Sequence, residues 1–197
     1  LLLIGASRGL GHAMAETFVQ RGWKVIGTVR DSAQHTPLHA LAGEYPQQVH
    51  IEQLDICESP QITALSQRLS GQTIDMLFVN AGTTNRDPSQ TIGEITTDEF
   101  IQIMLTNALS PMRVIEQFAA QVTAGGLIGV MSSGQGSIAN NESGQRELYR
   151  GSKAALNMFM RSFAARPSSA SHPLVVMARG WIRTELGGAD APLTIEE

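Results

Sequence analysis

The chain has 197 residues, 42% of them hydrophobic and 16% charged, with 19 glycines and a net charge of −4. That length and composition suit one globular domain with a full hydrophobic core and exclude a disordered chain. The acidic balance excludes an electrostatic footprint for nucleic acid, and Cys57, the only cysteine, excludes an internal disulfide and fits a reducing compartment.

The opening apolar run stops at Gly5, too short for a signal peptide or a membrane span, and no longer run follows. The expectation is a soluble, cytoplasmic protein with no membrane partner and no metal site. Short apolar runs then alternate with helical patterns, which predicts an α/β fold: a doubly wound parallel sheet with helices on both faces. Strands are predicted at 1–4, 24–29, 49–54, 76–80, 127–131 and 174–178. None shows a strict period of two, as expected where both sheet faces are buried. Between the first two, Leu10, Met14 and Phe18 predict a helix stripe, ended by Arg21 and Gly22. Residues 132–147, polar and glycine-rich, predict a surface loop. Leu156, Phe159, Met160 and Phe163 predict a helix stopped at Arg166-Pro167. Residues 193–197 read as the start of another helix, so one strand-helix unit is expected to be missing.

Gly5-Ala6-Ser7-Arg8-Gly9-Leu10-Gly11 joins the first strand to the first helix. Backbone N–H groups and the positive helix end there face an anion. Glycines close the turn, admit a pyrophosphate and let the helix pack on the strand. A tight turn alone also asks for glycine, but strand, loop and helix together point to a dinucleotide. At the end of the second strand an acidic residue would take the ribose hydroxyls of NAD. Here Val29 carries no carboxylate and Arg30 offers a planar fork to a 2′-phosphate, on which Arg8 could converge. Lone arginines are ordinarily solvated surface charges, and Asp31 stands one position away. Two arginines flanking one pocket favour NADPH over NADH.

Tyr149 and Lys153 lie one helical turn apart on one face. A phenol works in proton transfer near neutral pH when a nearby cation stabilises its phenolate. The same spacing also arises from a half-buried tyrosine beside a snorkelling lysine.

With the glycine loop, Asn80-Ala81-Gly82 after the fourth strand, Ser132-Ser133 after the fifth, and Tyr149 with Lys153, the chain resembles the short-chain dehydrogenase/reductase family. The likeness runs from residue 1 to about residue 184. Residues 2–11, 27–31 and 180–188 look most like its carbonyl-reductase and C-factor-like branch.

The resemblance implies a Rossmann-type NAD(P)-binding domain over residues 1–197, with substrate loops at 132–148 and 184–197. It implies that Tyr149 passes a proton to the carbonyl oxygen while Lys153 lowers its pKa and binds the nicotinamide ribose. Ser133 would hold the substrate oxygen, and Asn107 would anchor a water-linked relay to the lysine. Asp55, with Ile56, matches the acid that contacts adenine. Asn80, Ala81 and Gly82 would line the cofactor, and Ile182 with Thr184 would lie near the nicotinamide carboxamide. Other readings stand beside these: Ser132 as the working hydroxyl, both serines as loop caps, Asn107 as a polar break in a helix, and Asp55 as a helix-entry cap. The partners implied are a small carbonyl or alcohol substrate and, by analogy, a second copy of the chain.

Three departures stand out. Ile4 replaces a threonine, which removes a loop hydrogen bond. Ser133 and Tyr149 are 16 positions apart, wider than is usual in the family. Arg179-Gly180 replaces Pro-Gly, which predicts a loosened or altered pocket. Against the enzyme stands one competing class, a dinucleotide-binding regulatory protein that keeps the fold without turnover. Such a protein has no need of Asn107, Ser133, Tyr149 and Lys153 together.

Overall fold

Each predicted apolar run becomes a parallel strand in the computed structural model, which describes residues 1–169, 171–178, 180–184, 187–188 and 190–195. The strands are β1 (Leu2–Ile4), β2 (Val25–Val29), β3 (Val49–Gln53), β4 (Ile74–Val79), β5 (Val122–Met131) and β6 (Leu174–Met177). Their order in the sheet is β3-β2-β1-β4-β5-β6. The chain winds outward from β1 in one direction and from β4 in the other, so the order reverses between β1 and β4. In sheets of this order a ligand crevice forms at that reversal, outside the carboxyl ends of the strands.

Both faces of the sheet are buried. Leu2 and Ile4 join one core with Leu77, Val79, Ile128 and Val130. Leu1 and Leu3 point into the other with Val25, Val29 and Phe78. Alternate residues thus face two apolar layers, which is why the strand sequences show no polar alternation. The helices over the first layer are α3 (Ser59–Arg68), α5 (Ser110–Phe118) and α6 (Glu147–Ala164). Over the second lie α1 (Gly9–Gln20) and α2 (Pro37–Glu44). A further helix, α4 (Thr97–Met104), leads into α5 through a wide turn at Leu105–Leu109.

Four expectations need correction. The buried stripe of α1 is Gly11, Ala15 and Val19, one position on from the predicted Leu10, Met14 and Phe18, which are only half-buried. The helix leaves β1 so directly that only small side chains fit beneath it: a Cβ on Gly11 would collide with the Gly5 carbonyl. In α6, Phe159 is 42% exposed while Leu148, Ser152, Lys153, Leu156, Met160 and Phe163 are buried. Strands β4 and β5 begin earlier than predicted, because a register shift after Ile74 folds Gly125 and Gly126 out of the ladder, with Gly125 at φ +79°. The loop after β5 is exposed only in its outer part: Ser132 and Gly136 at its root are buried. A Cβ on Gly136 would lie 2.9 Å from the Lys153 backbone.

Candidate active site

The glycine turn is built from backbone that no side chain could replace. Gly5 sits at φ +85°, and a Cβ there would lie 2.8 Å from the Ala81 backbone. Gly9 is also left-handed, at φ +55°. The Asn80 amide donates to the Gly5 carbonyl at 2.8 Å, and the Asn80 and Ala81 N–H groups both reach the Ile4 carbonyl. Thus β4 is tied to β1 at the crevice. The turn is braced across the strands by Thr28, whose hydroxyl accepts from the Gly5 N–H at 2.9 Å. Thr28 is 1% exposed.

The dinucleotide-binding candidates are gathered at this edge. Arg8 stands in extended backbone at the start of α1, and no side chain caps that helix end. Ser7 and Leu10 are half-buried beside it. Arg30 is exposed at the end of β2. The Asp31 carboxylate is turned away into a local turn, accepting from the Ala33 N–H at 2.9 Å. One oxygen of Asp55 similarly accepts from the Cys57 N–H at 2.9 Å, so it shapes the entry to α3, whose N-terminal cap is Glu58. The Ile56 side chain belongs to the core, which leaves only its backbone to face a ligand. Bare glycine backbone, a helix end with no side-chain cap, and exposed Arg30 with the Asp31 carboxylate engaged in its own turn fit a phosphorylated dinucleotide.

Across the crevice, α6 supplies the second half of the site. Lys153 is 4% exposed and donates to the Met131 carbonyl at 2.9 Å. Its burial lowers the ammonium to about 8, because charge is costly away from water. Its Nζ stands 5.9 Å from the centre of the Tyr149 ring. Burial pushes the Tyr149 phenol upward, while a hydrogen bond with Ser133 and the charge of Arg146 pull it down. The expected lowering by Lys153 is therefore not what dominates here; desolvation of the phenol does.

The two serines differ. The Ser132 hydroxyl is buried and committed to Asn157 Oδ1 at 2.6 Å. Ser133 accepts from the Gln135 N–H at 3.1 Å, capping a short turn, and faces Tyr149. Asn107 is fully buried. Its side chain accepts from the Thr83 N–H and donates to the Thr83 carbonyl, both at 2.8 Å, and donates to the Ser152 hydroxyl at 3.0 Å. Ser152 in turn donates to the Tyr149 carbonyl at 2.7 Å. Asn107 lies in the wide turn between α4 and α5, where Pro111 follows four residues later. Proline has no N–H to offer the Asn107 carbonyl, and its ring would clash with it. The turn widens there, as such bulges often do at functional sites. A Cβ on Gly82 would stand 3.4 Å from both Asn107 Oδ1 and Lys153 Nζ, so Asn107, Lys153 and the end of β4 meet at one place.

The segment after β6 folds over the glycine turn. A Cβ on Gly9 would contact Thr184 at 3.6 Å. Ile182 is buried and bridges to Leu193, and the Thr184 hydroxyl accepts from the Gly187 N–H at 3.0 Å. Arg179, and residues 185, 186, 189, 196 and 197 of the expected substrate loop, lie outside the described residues.

The family model for short chain dehydrogenases matches residues 1–191. The chain belongs to that family. A solved short-chain dehydrogenase/reductase from Burkholderia multivorans with bound NADP is 65% identical to this one, with a TM-score of 0.96 over 99% of this chain and 85% of that one. A carbonyl reductase from Pseudomonas aeruginosa PAO1 in complex with NADP is 35% identical, with a TM-score of 0.90 over 100% of this chain and 85% of that one. The C-signal of Myxococcus xanthus is 33% identical over 122 residues, 61% of this chain and 72% of the relative. This family member is an oxidoreductase, similar to carbonyl reductases. Among the described residues, no helix is long and apolar enough to cross a membrane.

Sequence reasoning missed several supports of the site. Thr28, Thr83, Ser152 and Asn157 hold the glycine turn, Asn107 and Ser132 in place. For Thr28 the signal was a hydroxyl inside an apolar stretch, Val25-Ile26-Gly27-Thr28-Val29, since a buried hydroxyl must find a partner; Thr83 acts through its backbone, which no residue type announces. Arg146 also went unmarked.

Proposed function

We propose that the protein is an NADPH-dependent reductase of aldehydes or ketones, working reversibly, with Tyr149 as the proton donor. The observation that carries this reading is the meeting of Tyr149, Ser133, Lys153 and Asn107 beside the glycine turn. NADP bound to similar proteins supports the cofactor. Exposed Arg30, with Asp31 turned away from it, favours the phosphorylated form over NADH.

The bound cofactor supplies a hydride. The chain's own residues position the carbonyl and manage the proton. The Ser133 hydroxyl holds the substrate oxygen beside the Tyr149 phenol. Because burial raises Tyr149, the phenol stays protonated near neutral pH, as an acid for reduction must be. Lys153, deeply buried and lowered to about 8, holds its charge beside the phenol and binds the ribose. Asn107, clamped between Thr83 and Ser152, anchors the route by which Tyr149 recovers its proton. Residues 1–197 act in this as one domain.

The test is NADPH oxidation with a panel of small carbonyls, comparing wild type with Tyr149→Phe. Turnover is expected to fall by about 10²- to 10⁴-fold, the usual share of a positioned acid. Indistinguishable rates would remove Tyr149 from its role. Binding of NADPH without turnover of any carbonyl would return the chain to the regulatory reading.

A further inference from the structure

Arg146 is the residue that neither the fold nor the reaction accounts for. It caps the start of α6 in the left-handed region, at φ 50° and ψ 37°, three positions before Tyr149. Gln145 beside it is also left-handed, at φ 58°. Two consecutive side-chain-bearing residues in that region are strained, and their N–H and C=O groups are tied down: Arg146 N–H donates to the Pro88 carbonyl at 3.1 Å, and Arg150 Nε donates to the Gln145 carbonyl at 2.9 Å. This backbone turns the Arg146 side chain off the start of α6. It reaches Trp181, in the segment after β6, with its guanidinium 5.5 Å from the ring centre.

That guanidinium is half-buried and carries five N–H donors. Arg68, Arg150, Arg166 and Arg183 all donate to protein acceptors. For Arg146, among the described residues, no side-chain hydrogen bond and no ion pair is made. Glu147, next to it in the chain, accepts from the Ile92 N–H at 2.8 Å, and Asp87, beside the Pro88 that holds its backbone, accepts from Ser89. Stacking on an indole satisfies the face of a guanidinium and leaves its donor edge open. The charge is close enough to act on the Tyr149 phenol.

We propose that Arg146, held on Trp181, binds a carboxylate of the substrate, so that the enzyme reduces oxo acids in preference to neutral carbonyls. This rests on the reductase reading above. A planar fork matches a carboxylate with two parallel hydrogen bonds, and one guanidinium balances one carboxylate charge. The carboxylate would sit at the mouth of the site, between the start of α6 and the segment after β6, with the carbonyl pointing inward to Tyr149 and Ser133.

The experiment uses the full chain with NADPH and a set of oxo acids of increasing length, each beside its methyl ester. The readout is the ratio of kcat/KM for acid to that for ester, in wild type, Arg146→Gln and Arg146→Lys. Charge-assisted hydrogen bonds predict a wild-type ratio of about 10- to 100-fold at the best chain length. The ratio is expected to collapse toward one in Arg146→Gln, chiefly through KM, and to recover partly in Arg146→Lys. A ratio near one in wild type, or one that Arg146→Gln leaves unchanged, overturns the carboxylate anchor while the reductase reading stands. A purely structural latch between Arg146 and Trp181 would lower acid and ester alike, which also overturns the anchor. If wild type reduces neither acids nor esters, the reductase reading falls and the anchor falls with it. Melting curves of both variants, compared with wild type, show that the ratio is read on folded protein.

Discussion

Replacing Lys153 with methionine is expected to make the folded protein more stable and catalytically dead. Lys153 is 4% exposed, and burial carries its ammonium from the ordinary 10.5 to about 8. Below pH 8 both folded and unfolded chains hold the proton, and the folded state bears the whole cost, about 3 kcal/mol. Between pH 8 and 10.5 the unfolded chain stays protonated while the folded one does not, so wild-type stability climbs with pH. Above 10.5 both are neutral and the cost is gone. Lys153→Met removes the charge but leaves the Met131 carbonyl without its 2.9 Å donor, a loss of about 1 kcal/mol. The net expectation near pH 7 is a gain of about 2 kcal/mol, or roughly 4–8 °C in Tm for a chain of this size. Urea unfolding of both proteins at pH 7 and pH 10 measures it. The methionine variant should lead at pH 7 and lose its lead by pH 10. A variant less stable than wild type at pH 7, or a gap that ignores pH, would refute the reasoning. Stability surrendered at a functional lysine is the familiar exchange between activity and stability.

Thr28→Val leaves the Gly5 N–H without its buried acceptor and should cost about 1–3 kcal/mol of stability; calorimetric titration should also show weaker NADPH binding, since the turn loses its brace. The two serines should separate cleanly. Ser133→Ala is expected to lower kcat/KM for carbonyl reduction by at least 10-fold, because its hydroxyl faces Tyr149, with a melting loss no larger than that of one turn cap. Ser132→Ala is expected to lower melting, because it strands Asn157, which Ser132 holds at 2.6 Å. The opposite pattern would assign the working hydroxyl to Ser132.

Much of this protein was legible in its residues. The six strands could be read because each is an apolar run bounded by turn formers, and a sheet buried on both faces needs nothing more subtle. The glycine turn, the serine pair and Tyr149 with Lys153 could be read from order and spacing, since strand-turn-helix units place such groups along one edge of the sheet; Asn107 was reached only through the family resemblance they carry. The buried face of α1 was not legible. Apolar size suggested Leu10, Met14 and Phe18, whereas the closeness of helix and strand selected Gly11, Ala15 and Val19. The wide turn at Asn107 had a visible cause in Pro111, but its consequence depends on how the following helix packs.

What the residues determined alone is local: periodicity, turn chemistry, and the chemical groups available at each position. Burial and long-range contact are properties of the folded chain, and they decided the rest. Lys153 loses its charge easily because α6 drives it beneath the loop after β5, not because of any neighbour in sequence. The Gly5 turn is braced by a hydroxyl 23 residues away. Arg146 gains its role from Trp181, which is adjacent only in the folded molecule. Each depends on desolvation or on distance between remote segments, quantities that exist only once the sheet has formed.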